Sequence, residues 1–202
     1  MKNLSFLLQH IGPHKLIGTA ERVVEHITFD SRKVNAEHPN TLFVAQRGTS
    51  VDGHNFIGKV IEQGGKIIVC ETLPEEINDQ VSYIEVPNSD IALGKLASAF
   101  FDFPSQKLRL VGITGTNGKT TTVTLLYNLF SGLGYKCGLL STIANYVAGE
   151  RFEAVNTTSD PVTINSLMKE MVDKGCEYCF MEVSSIGAEQ GRVHALDFDI
   201  AV

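Results

Sequence analysis

Short apolar runs alternate along the chain with segments in which apolar residues recur every three or four positions. In the first hundred residues, the runs TLFVAQ (41–46) and KIIVCE (66–71) are typical of buried strands. Between them lies one helical face, formed by Phe56, Ile57, Val60 and Ile61. A second helix is predicted over 91–101. This alternation predicts an α/β fold with a mostly parallel sheet.

The same pattern restarts after the polar stretch DFPSQK (102–107), which contains a proline and which we interpret as a domain boundary. We therefore predict a small N-terminal α/β domain over 1–103 and a second, mostly parallel-sheet domain over 108–202. Strands of the second domain are expected at 108–113, 137–142, 178–183 and 198–202. Because the sequence stops inside the last apolar run, FDIAV, we expect it to be a piece of a longer protein.

Two helices and a hairpin complete the predicted second domain. The hairpin covers 145–155 and turns at Ala148-Gly149. One helix opens with Asp160 as N-cap and Pro161 at its first position. Its inner face consists of Ile164, Leu167, Met168, Met171 and Val172. The other begins near Thr120, and its buried side is expected to consist of Val123, Leu126, Leu129, Phe130 and Leu133.

Composition narrows the class of protein. A hydrophobic content of 43% with 20% charged residues is that of a globular domain, and a net charge of −6 argues against a broad nucleic-acid surface. No apolar run approaches the ~20 residues of a membrane helix, and no secretion signal is evident, so we expect a cytoplasmic protein without a membrane partner. An apolar strand follows Cys176 and Cys179, which favours buried thiols over a redox or zinc pair.

The stretch LVGITGTNGKTTT, from Leu110 to Thr122, has the composition of a phosphate-binding loop but an unusual spacing. The common pattern places a glycine six positions before the lysine, where this chain has Ile113. Gly115 and Gly118 still permit a tight turn before a helix N-terminus, which attracts anions. Lys119 can reach phosphates and the Thr120 hydroxyl can bind Mg²⁺. The alternative is a structural turn with a solvated lysine.

Two further polar segments flank predicted elements of the second domain. Glu182 ends an apolar strand, where ligands of open α/β sheets bind, and we predict that it binds the same metal. A surface charge is the alternative. The residues that follow it include Ser184, Gln190 and Arg192, and the guanidinium could bind a carboxylate or phosphate or form a surface salt bridge. The segment NTTSDP supplies Asn156, Thr157 and Thr158, which could bind a ligand or cap the next helix.

Together these segments resemble the Mur ligases, most of all their tripeptide-forming branch. GITGTNGKTTT is similar to the ATP loop of that family, and NTTSDP and MEVSS are similar to its substrate segments. FDSRKV, TLFVAQRGTSVDGHNFI and GGKIIVCE resemble its UDP-binding N-terminal domain. The resemblance covers nearly the whole chain and implies an ATP-dependent ligase of peptidoglycan synthesis. In that reaction, the acceptor carboxylate forms an acyl phosphate, which the amine of an amino acid then attacks.

Carried over by position, the resemblance assigns residue roles and partners. ATP would bind to Gly115, Thr116, Asn117, Gly118, Lys119, Thr120 and Thr121, with Lys119 as the catalytic cation. Mg²⁺ would bind to Thr120 and Glu182. The substrate, UDP-MurNAc-L-Ala-D-Glu (a UDP-MurNAc-dipeptide), would contact Ser31, Thr49, Ser50, Val51, Asn156, Thr157, Thr158, Ser184, Gln190 and Arg192. An amino acid, diaminopimelate or lysine, is the second substrate; we expect a monomer that binds no nucleic acid.

Two departures from the family pattern bear on activity. The family usually reads Ser-Ser-His where this chain has Ser184, Ser185 and Ile186, and isoleucine can neither donate nor ligate. The 202 residues also lack the later family segments, which carry a modified lysine, a further metal-binding histidine and the amino-acid pocket. We therefore expect this polypeptide alone not to ligate.

Three alternatives remain open at this point. A different Mur-type ligase or a folylpolyglutamate synthase would share the ATP loop, although folate enzymes lack the UDP domain. A non-catalytic protein that binds UDP precursors or nucleotides is supported by Ile186. A small phosphate-loop kinase or GTPase leaves the first hundred residues unexplained.

Overall fold

The computed structural model describes residues 1–48 and 51–202. The chain divides into two compact units, Met1–Leu96 and Ala97–Val202, and the division falls inside one helix. The predicted α/β class with mostly parallel sheets is confirmed in both units.

The first unit is built on a five-stranded sheet in the order β2-β7-β6-β5-β4. All neighbouring strands in it are parallel except β2, which runs antiparallel to β7. A separate antiparallel pair joins β1 and β3. The elements are β1 (Lys2–Asn3), α1 (Leu4–Leu8), β2 (Lys15–Ile17), β3 (Val23–Val24), β4 (His26–Thr28), β5 (Thr41–Val44), α2 (Ile57–Glu62), β6 (Ile67–Cys70), β7 (Ser82–Glu85) and α3 (Ser89–Phe100), with 3-10 turns at Ser31–Lys33 and Gly53–Phe56.

Strands β5 and β6 are buried on both faces, as a run of consecutive apolar residues requires in a covered parallel sheet. One face carries Phe43, Ile68 and Tyr83, and the α2 residues Ile57 and Val60 pack against it. The predicted strands 41–46 and 66–71 are therefore confirmed with shorter ends. The four parallel strands β4, β5, β6 and β7 end at the same edge of the sheet.

The second unit is a six-stranded sheet in the order β11-β10-β9-β12-β8-β13. The four strands β9, β12, β8 and β13 are parallel, and the hairpin β10–β11 adds an antiparallel edge. The elements are β8 (Arg109–Ile113), α4 (Lys119–Gly132), β9 (Cys137–Leu140), β10 (Ala144–Val147), β11 (Glu150–Glu153), α5 (Pro161–Asp173), β12 (Tyr178–Glu182), α6 (Ser185–Glu189) and β13 (Ile200–Ala201), with a 3-10 turn at Pro104–Lys107.

Helices α4 and α5 cover opposite faces of this sheet, because alternate residues of β12 point to opposite sides. Phe180 packs in the cluster that contains Val123 of α4, whereas Cys179 and Met181 pack in the cluster that contains Met168 of α5. The predicted inner face of α5 is confirmed, with Val172 partly buried at its margin. The structure also confirms the Asp160 cap, whose carboxylate accepts from the backbone N–H of Thr163 at 2.9 Å.

The predicted buried side of α4 is wrong at two positions. Leu129 and Leu133 are 56% and 66% exposed. The side facing the sheet follows the spacing i, i+3, i+4, i+7 and consists of Val123, Leu126, Tyr127 and Phe130. Leu129 lies off that face, and Leu133 follows the last helical residue. The predicted residues belong to two different faces of the helix, because the leucines of this segment form more than one apolar stripe.

The hairpin prediction is confirmed, including its turn. Ala148 and Gly149 both adopt positive φ angles, 50° and 91°, as the commonest two-residue hairpin turn requires. The four cysteines are free and buried, which confirms the prediction for Cys176 and Cys179. Burial raises the pKa of the Cys70 thiol to about 12 and that of Cys179 far above its usual range. Within 1–48 and 51–202, no helix has the length and apolar character needed to cross a bilayer.

Gly112 in β8 leaves space for an aromatic ring, and this packing yields a stability prediction. A Cβ at this position would lie 2.6 Å from the Phe198 ring, so Gly112→Ala should destabilise the fold by about 1–3 kcal/mol. At Gly132, the last residue of α4, an added Cβ would have no atom from outside its own helix within 4 Å among the described residues. Gly132→Ala should therefore be neutral or stabilise by up to ~1 kcal/mol. Chemical denaturation measures the free energy of unfolding of both variants and of the unaltered protein. Equal stabilities would contradict the packing role of Gly112.

Candidate functional site

Three parallel strands of the second unit end side by side and bring their following loops together. Glu182 at the end of β12 is aligned with Ile113 at the end of β8, and Met181 with Leu140 at the end of β9. The carboxyl edge of a parallel sheet is where ligands bind in open α/β folds. The candidate site therefore lies where residues 114–118, 141–143 and 183–184 leave the sheet.

The loop after β8 has the backbone geometry of an anion site. Gly115 and Gly118 adopt φ angles of 129° and 83°, which L-residues rarely occupy. Helix α4 then starts at Lys119, and its N-cap residue, Gly118, has no side chain that could cap the first N–H groups. These uncapped N–H groups, together with the helix dipole, favour a bound phosphate. The Lys119 ammonium bends back and donates to the Gly115 carbonyl at 2.6 Å, so the lysine lies over the loop.

The displaced glycine has a packing explanation. Ile113 is 7% exposed and belongs to the apolar cluster beneath α4, so this position is part of the core rather than of the loop. The preceding glycine, Gly112, makes room for Phe198. Only residues 114–118 form the turn between strand and helix, and Thr114, Thr116 and Asn117 are exposed there.

Glu182 is buried at the centre of this site and is 1% exposed. Its Oε2 accepts from the Thr120 hydroxyl at 2.9 Å, and its Oε1 accepts from the Thr142 backbone N–H at 2.8 Å. A buried carboxylate needs such donors to be stable. The structure thus brings together the two side chains predicted to bind metal, which contradicts the surface-charge alternative for Glu182.

Thr142 is a residue of this site that the sequence reasoning missed. Besides its N–H, its hydroxyl donates to Glu182 Oε2 at 3.2 Å and lies 3.1 Å from the Thr157 hydroxyl. It therefore links Glu182 to the segment before α5. The available signal was its position at the end of the predicted strand 137–142, since Glu182 was singled out at the end of its own strand.

The carboxylate and hydroxyl fit the requirements of Mg²⁺. Among the residues that the structure describes, no group of three or more His, Cys, Asp or Glu side chains could hold a metal alone. One carboxylate and one hydroxyl are a sufficient protein contribution for Mg²⁺ when phosphate oxygens and water complete its octahedron. Such a site would need a bound nucleotide, and the loop 114–118, whose backbone suits an anion, lies directly before Thr120.

A second network fixes the segments that the sequence assigned to the substrate. The Thr158 hydroxyl accepts from the Ser184 backbone N–H at 2.9 Å and donates to the Glu182 carbonyl at 3.1 Å. The Arg192 guanidinium donates to the Thr158 carbonyl at 2.6 Å and to Gln190 Oε1 at 2.6 Å. Ser184 also caps α6 through the Gly187 N–H. This network orders the loops next to Glu182.

The residues predicted to bind substrate differ in how far their side chains are exposed to solvent. Thr158 is 1% exposed, so its side chain is enclosed by the protein, and Gly187 packs so closely on it that a Cβ would lie 2.7 Å from Thr158 Cβ. Thr157, Ser184, Gln190 and Arg192 are half-buried, and Asn156 and Thr121 are exposed. Contact of all these residues with a substrate stays a prediction. For Thr158, an indirect role through the backbone fits the burial better.

The resemblance assigns four residues of the first unit to the UDP part of the substrate, Ser31, Thr49, Ser50 and Val51, and the structure describes Ser31 and Val51. Ser31 opens the 3-10 turn after β4, and Asp30 caps that turn through the Arg32 N–H at 3.0 Å. The Arg32 side chain, which donates to this carboxylate, holds the pKa of Asp30 below its usual value. Val51 is 56% exposed. Thr49 and Ser50 lie outside the described residues.

The buried Thr158 hydroxyl allows a stability test with a close control. Thr158→Val should destabilise the protein by about 1–3 kcal/mol, because the Ser184 N–H and Glu182 carbonyl lose their partner inside the protein. Thr157→Val removes a half-buried hydroxyl and should cost less than about 0.5 kcal/mol. Urea denaturation measures both. Equal costs would show that the Thr158 bonds do not hold this region.

Comparison with known proteins gives family matches over both units. Residues 113–202 match the family model described as Mur ligase middle domain. Residues 23–101 match the model described as Mur ligase family, catalytic domain. A curated relative, the UDP-N-acetylmuramoyl-L-alanyl-D-glutamate--2,6-diaminopimelate ligase of Cytophaga hutchinsonii, is 52% identical over 193 residues, covering 95% of this chain and 39% of its own length. The chain spans about 40% of the length of the curated relatives it matches.

Solved structures show the same fold. A structure of a UDP-N-acetylmuramoyl-L-alanyl-D-glutamate--2,6-diaminopimelate ligase superposes with a TM-score of 0.73 at 24% identity, covering 96% of this chain and 39% of that one. The MurF ligase of Thermotoga maritima in complex with ADP superposes with a TM-score of 0.52 at 25% identity, covering 79% of this chain and 32% of that one. The two Mur ligase models together cover residues 23–101 and 113–202, so the chain carries domains of the Mur ligase family.

Proposed function

We propose that this chain forms part of an ATP-dependent amide-bond ligase of peptidoglycan synthesis, which adds an amino acid to UDP-MurNAc-L-Ala-D-Glu. The observation that carries this proposal is the 2.9 Å contact of the Thr120 hydroxyl with buried Glu182, directly after the phosphate loop. The names of the relatives support the substrate and favour diaminopimelate over lysine as the amino acid.

Residues of the second unit would bind ATP and Mg²⁺ and stabilise the charge that develops during phosphoryl transfer. The backbone of Gly115 to Thr121 binds the phosphates of ATP, and the ADP-bound MurF structure supports a nucleotide in this fold. Thr120 and Glu182 would hold Mg²⁺, and the bound cation would neutralise negative charge on the transferred phosphoryl group. Lys119 lies over the loop and adds a second positive charge at the same place. The acceptor carboxylate of the dipeptide would attack the γ-phosphate of ATP and release ADP, which gives an acyl phosphate. The amine of the amino acid would then displace inorganic phosphate to form the amide.

The substrate arm would lie along the segments behind the metal position. Ser184, Gln190 and Arg192 are held in one network, and Asn156 and Thr157 lie just before α5. Thr158 acts through the backbone positions that it fixes. In the first unit, Ser31 and the segment Thr49-Ser50-Val51 would contact the uridine part. We further propose that the protein acts as a cytoplasmic monomer and binds neither nucleic acid nor membrane.

A second candidate function rests on one observation. Ile186 is 59% exposed on α6, at the position where the family usually has histidine. A protein that retains nucleotide and UDP-precursor binding without ligation would tolerate this change. The variant Ile186→His, made in the longest natural form of the protein, separates the two functions. If the variant ligates faster than the unaltered protein, the protein is a ligase whose rate Ile186 lowers. If ligand binding is unchanged and no ligation is detected, the binding role is favoured.

Calorimetric titration with UDP-MurNAc-L-Ala-D-Glu tests the proposed substrate, with UDP-GlcNAc as the comparison ligand. We expect preferential binding of the muramoyl dipeptide, weakened by Ser31→Ala and by Arg192→Ala. Arg192→Ala also removes the bond to the Thr158 carbonyl, so its folding must be checked by circular dichroism. Equal affinity for both ligands, or no binding to a folded sample, would contradict the substrate assignment.

A further inference from the structure

The turn between β9 and β10, residues 141–145, is fixed by buried polar groups. The Ser141 hydroxyl donates to the Ala144 carbonyl at 2.8 Å, and the side-chain oxygen of Asn145 accepts from the Ser141 backbone N–H at 3.2 Å. Ser141, Ala144 and Asn145 are buried, so water does not compete for these bonds. Thr142 and Ile143 are the exposed residues of this turn. The turn therefore presents Thr142 from a backbone that is already closed.

Thr142 is the residue through which the 141–145 turn contacts Glu182. Its backbone N–H donates to Glu182 Oε1 at 2.8 Å, and its hydroxyl donates to Oε2 at 3.2 Å. The last torsion of a glutamate side chain otherwise varies broadly. Because one residue holds both oxygens, this torsion is restricted. Oε2 consequently faces the hydroxyl of Thr120, which lies 2.9 Å away.

The Thr142 hydroxyl has two polar neighbours but only one proton. Glu182 Oε2 lies 3.2 Å from it, and the Thr157 hydroxyl lies 3.1 Å from it. A hydrogen bond to a carboxylate is stronger than one to a neutral hydroxyl, so we assign the proton to Oε2. The Thr157 hydroxyl can then donate to the Thr142 oxygen. Neither bond from Thr142 to Glu182 involves Thr120, so both can persist when Thr120 and Glu182 hold a cation.

We propose that Thr142 is a positioning residue that orients the Glu182 carboxylate for Mg²⁺. This inference rests on the proposed function, in which Thr120 and Glu182 hold the cation. A ligand that is held in its binding orientation beforehand loses less conformational freedom when the cation binds, and the affinity for the cation is higher. The N–H and the hydroxyl of Thr142 both donate to the carboxylate, so the residue acts through Glu182.

The first test needs neither metal nor nucleotide. Thr142→Val keeps the side-chain shape and the backbone N–H but removes the hydroxyl. In the ligand-free 202-residue chain, the ¹³C shift of the Glu182 carboxylate carbon should change in this variant and return toward its original value in Thr142→Ser. Thr122→Val is the matched control, because Thr122 is exposed and lies about 200° around α4 from Thr120. An unchanged Glu182 shift in Thr142→Val would overturn the inference.

The second test is calorimetric titration of the same proteins with ADP, once with Mg²⁺ and once with a chelator. We expect Mg²⁺ to strengthen ADP binding about tenfold or more in the unaltered protein and about twofold or less in Thr142→Val. ADP affinity in chelator should stay within about twofold, because the phosphate loop is unaltered. Thr142→Ser should recover the Mg²⁺ effect to within about threefold, and Thr122→Val should retain it in full.

The possible results separate the inference from the proposed function. If Mg²⁺ strengthens ADP binding equally in the unaltered protein and in Thr142→Val, the positioning role is wrong while the metal site stands. An equal loss of ADP affinity with and without Mg²⁺, or a folded Thr142→Ser that is no better than Thr142→Val, would also overturn the positioning role. If Mg²⁺ has no effect on ADP binding by the unaltered, folded protein, the metal site of the proposed function fails, and the inference fails with it.

Discussion

Replacing Lys119 by Met should weaken binding of ATP and ADP to this chain by about 100-fold, since a charge-assisted contact to phosphate contributes roughly 1.5–3 kcal/mol. The ammonium already lies over the loop, 2.6 Å from the Gly115 carbonyl, so it needs little rearrangement to reach a phosphate. The fold should survive, because Lys119 is half-exposed and methionine retains the length of its apolar stem. Calorimetric titration with each nucleotide measures the change.

A lysine on the exposed surface of the first unit gives a matched control. Lys59 on α2 is exposed, and Lys59→Met makes the same chemical change away from the loop. We expect its nucleotide affinity to stay within about twofold of the unaltered protein. Similar losses in the two variants would mean that overall charge, rather than a contact at the loop, accounts for binding.

Replacing Glu182 by Gln should abolish the dependence of nucleotide binding on Mg²⁺. The amide oxygen can still accept one hydrogen bond, but the negative charge that favours the cation is lost. We expect that adding Mg²⁺ strengthens ADP binding by the unaltered protein about tenfold or more, and that the variant shows no such gain. Titrations with and without a chelator measure both quantities.

The stability of the same variants separates binding from folding. Glu182→Ala should destabilise the protein by about 1–3 kcal/mol, because it removes the acceptor of the Thr142 N–H and the Thr120 hydroxyl. Glu182→Gln should cost less, since its amide retains an acceptor. Glu189→Gln on α6, an exposed position, should change neither stability nor the Mg²⁺ effect. A Glu182→Gln protein that kept its full Mg²⁺ dependence would exclude this carboxylate as the ligand.

The elements that local sequence determines were predicted well. Asp160 and Pro161 predict the start of α5, because N-capping and the fixed φ angle of proline depend only on residues within a few positions. Ala148 and Gly149 announce the hairpin turn for the same reason. Glu182 could be placed beside the phosphate loop because parallel strands deliver their following residues to one edge. Each of these inferences needed only a pattern and a rule of chain geometry.

What the sequence could not reveal depends on packing between distant residues. Ile113 occupies the position where a glycine is usual because its side chain fills the core. Gly112 makes room for the ring of Phe198, which lies 86 residues later in the sequence. In the sequence, Thr142 cannot be told from other loop threonines. Its role depends on the hydrogen bond from its backbone N–H to Glu182, which only the structure shows. Thr158 looked like a ligand contact, but its hydroxyl is enclosed by neighbours from α6 and β12. The exposure of Leu129 likewise depends on how α4 is rotated against the sheet.

Backbone amide mapping by NMR, with ADP and Mg²⁺ added to the ¹⁵N-labelled chain, tests the central claim most directly. If the loop after β8 is a nucleotide site, the largest shifts will fall on Gly115, Gly118, Lys119 and Thr120, with smaller shifts at Thr142 and Glu182 through the carboxylate. Shifts confined to other parts of the chain, or no shifts at saturating ADP in a folded sample, would contradict the assignment of a phosphate-binding loop.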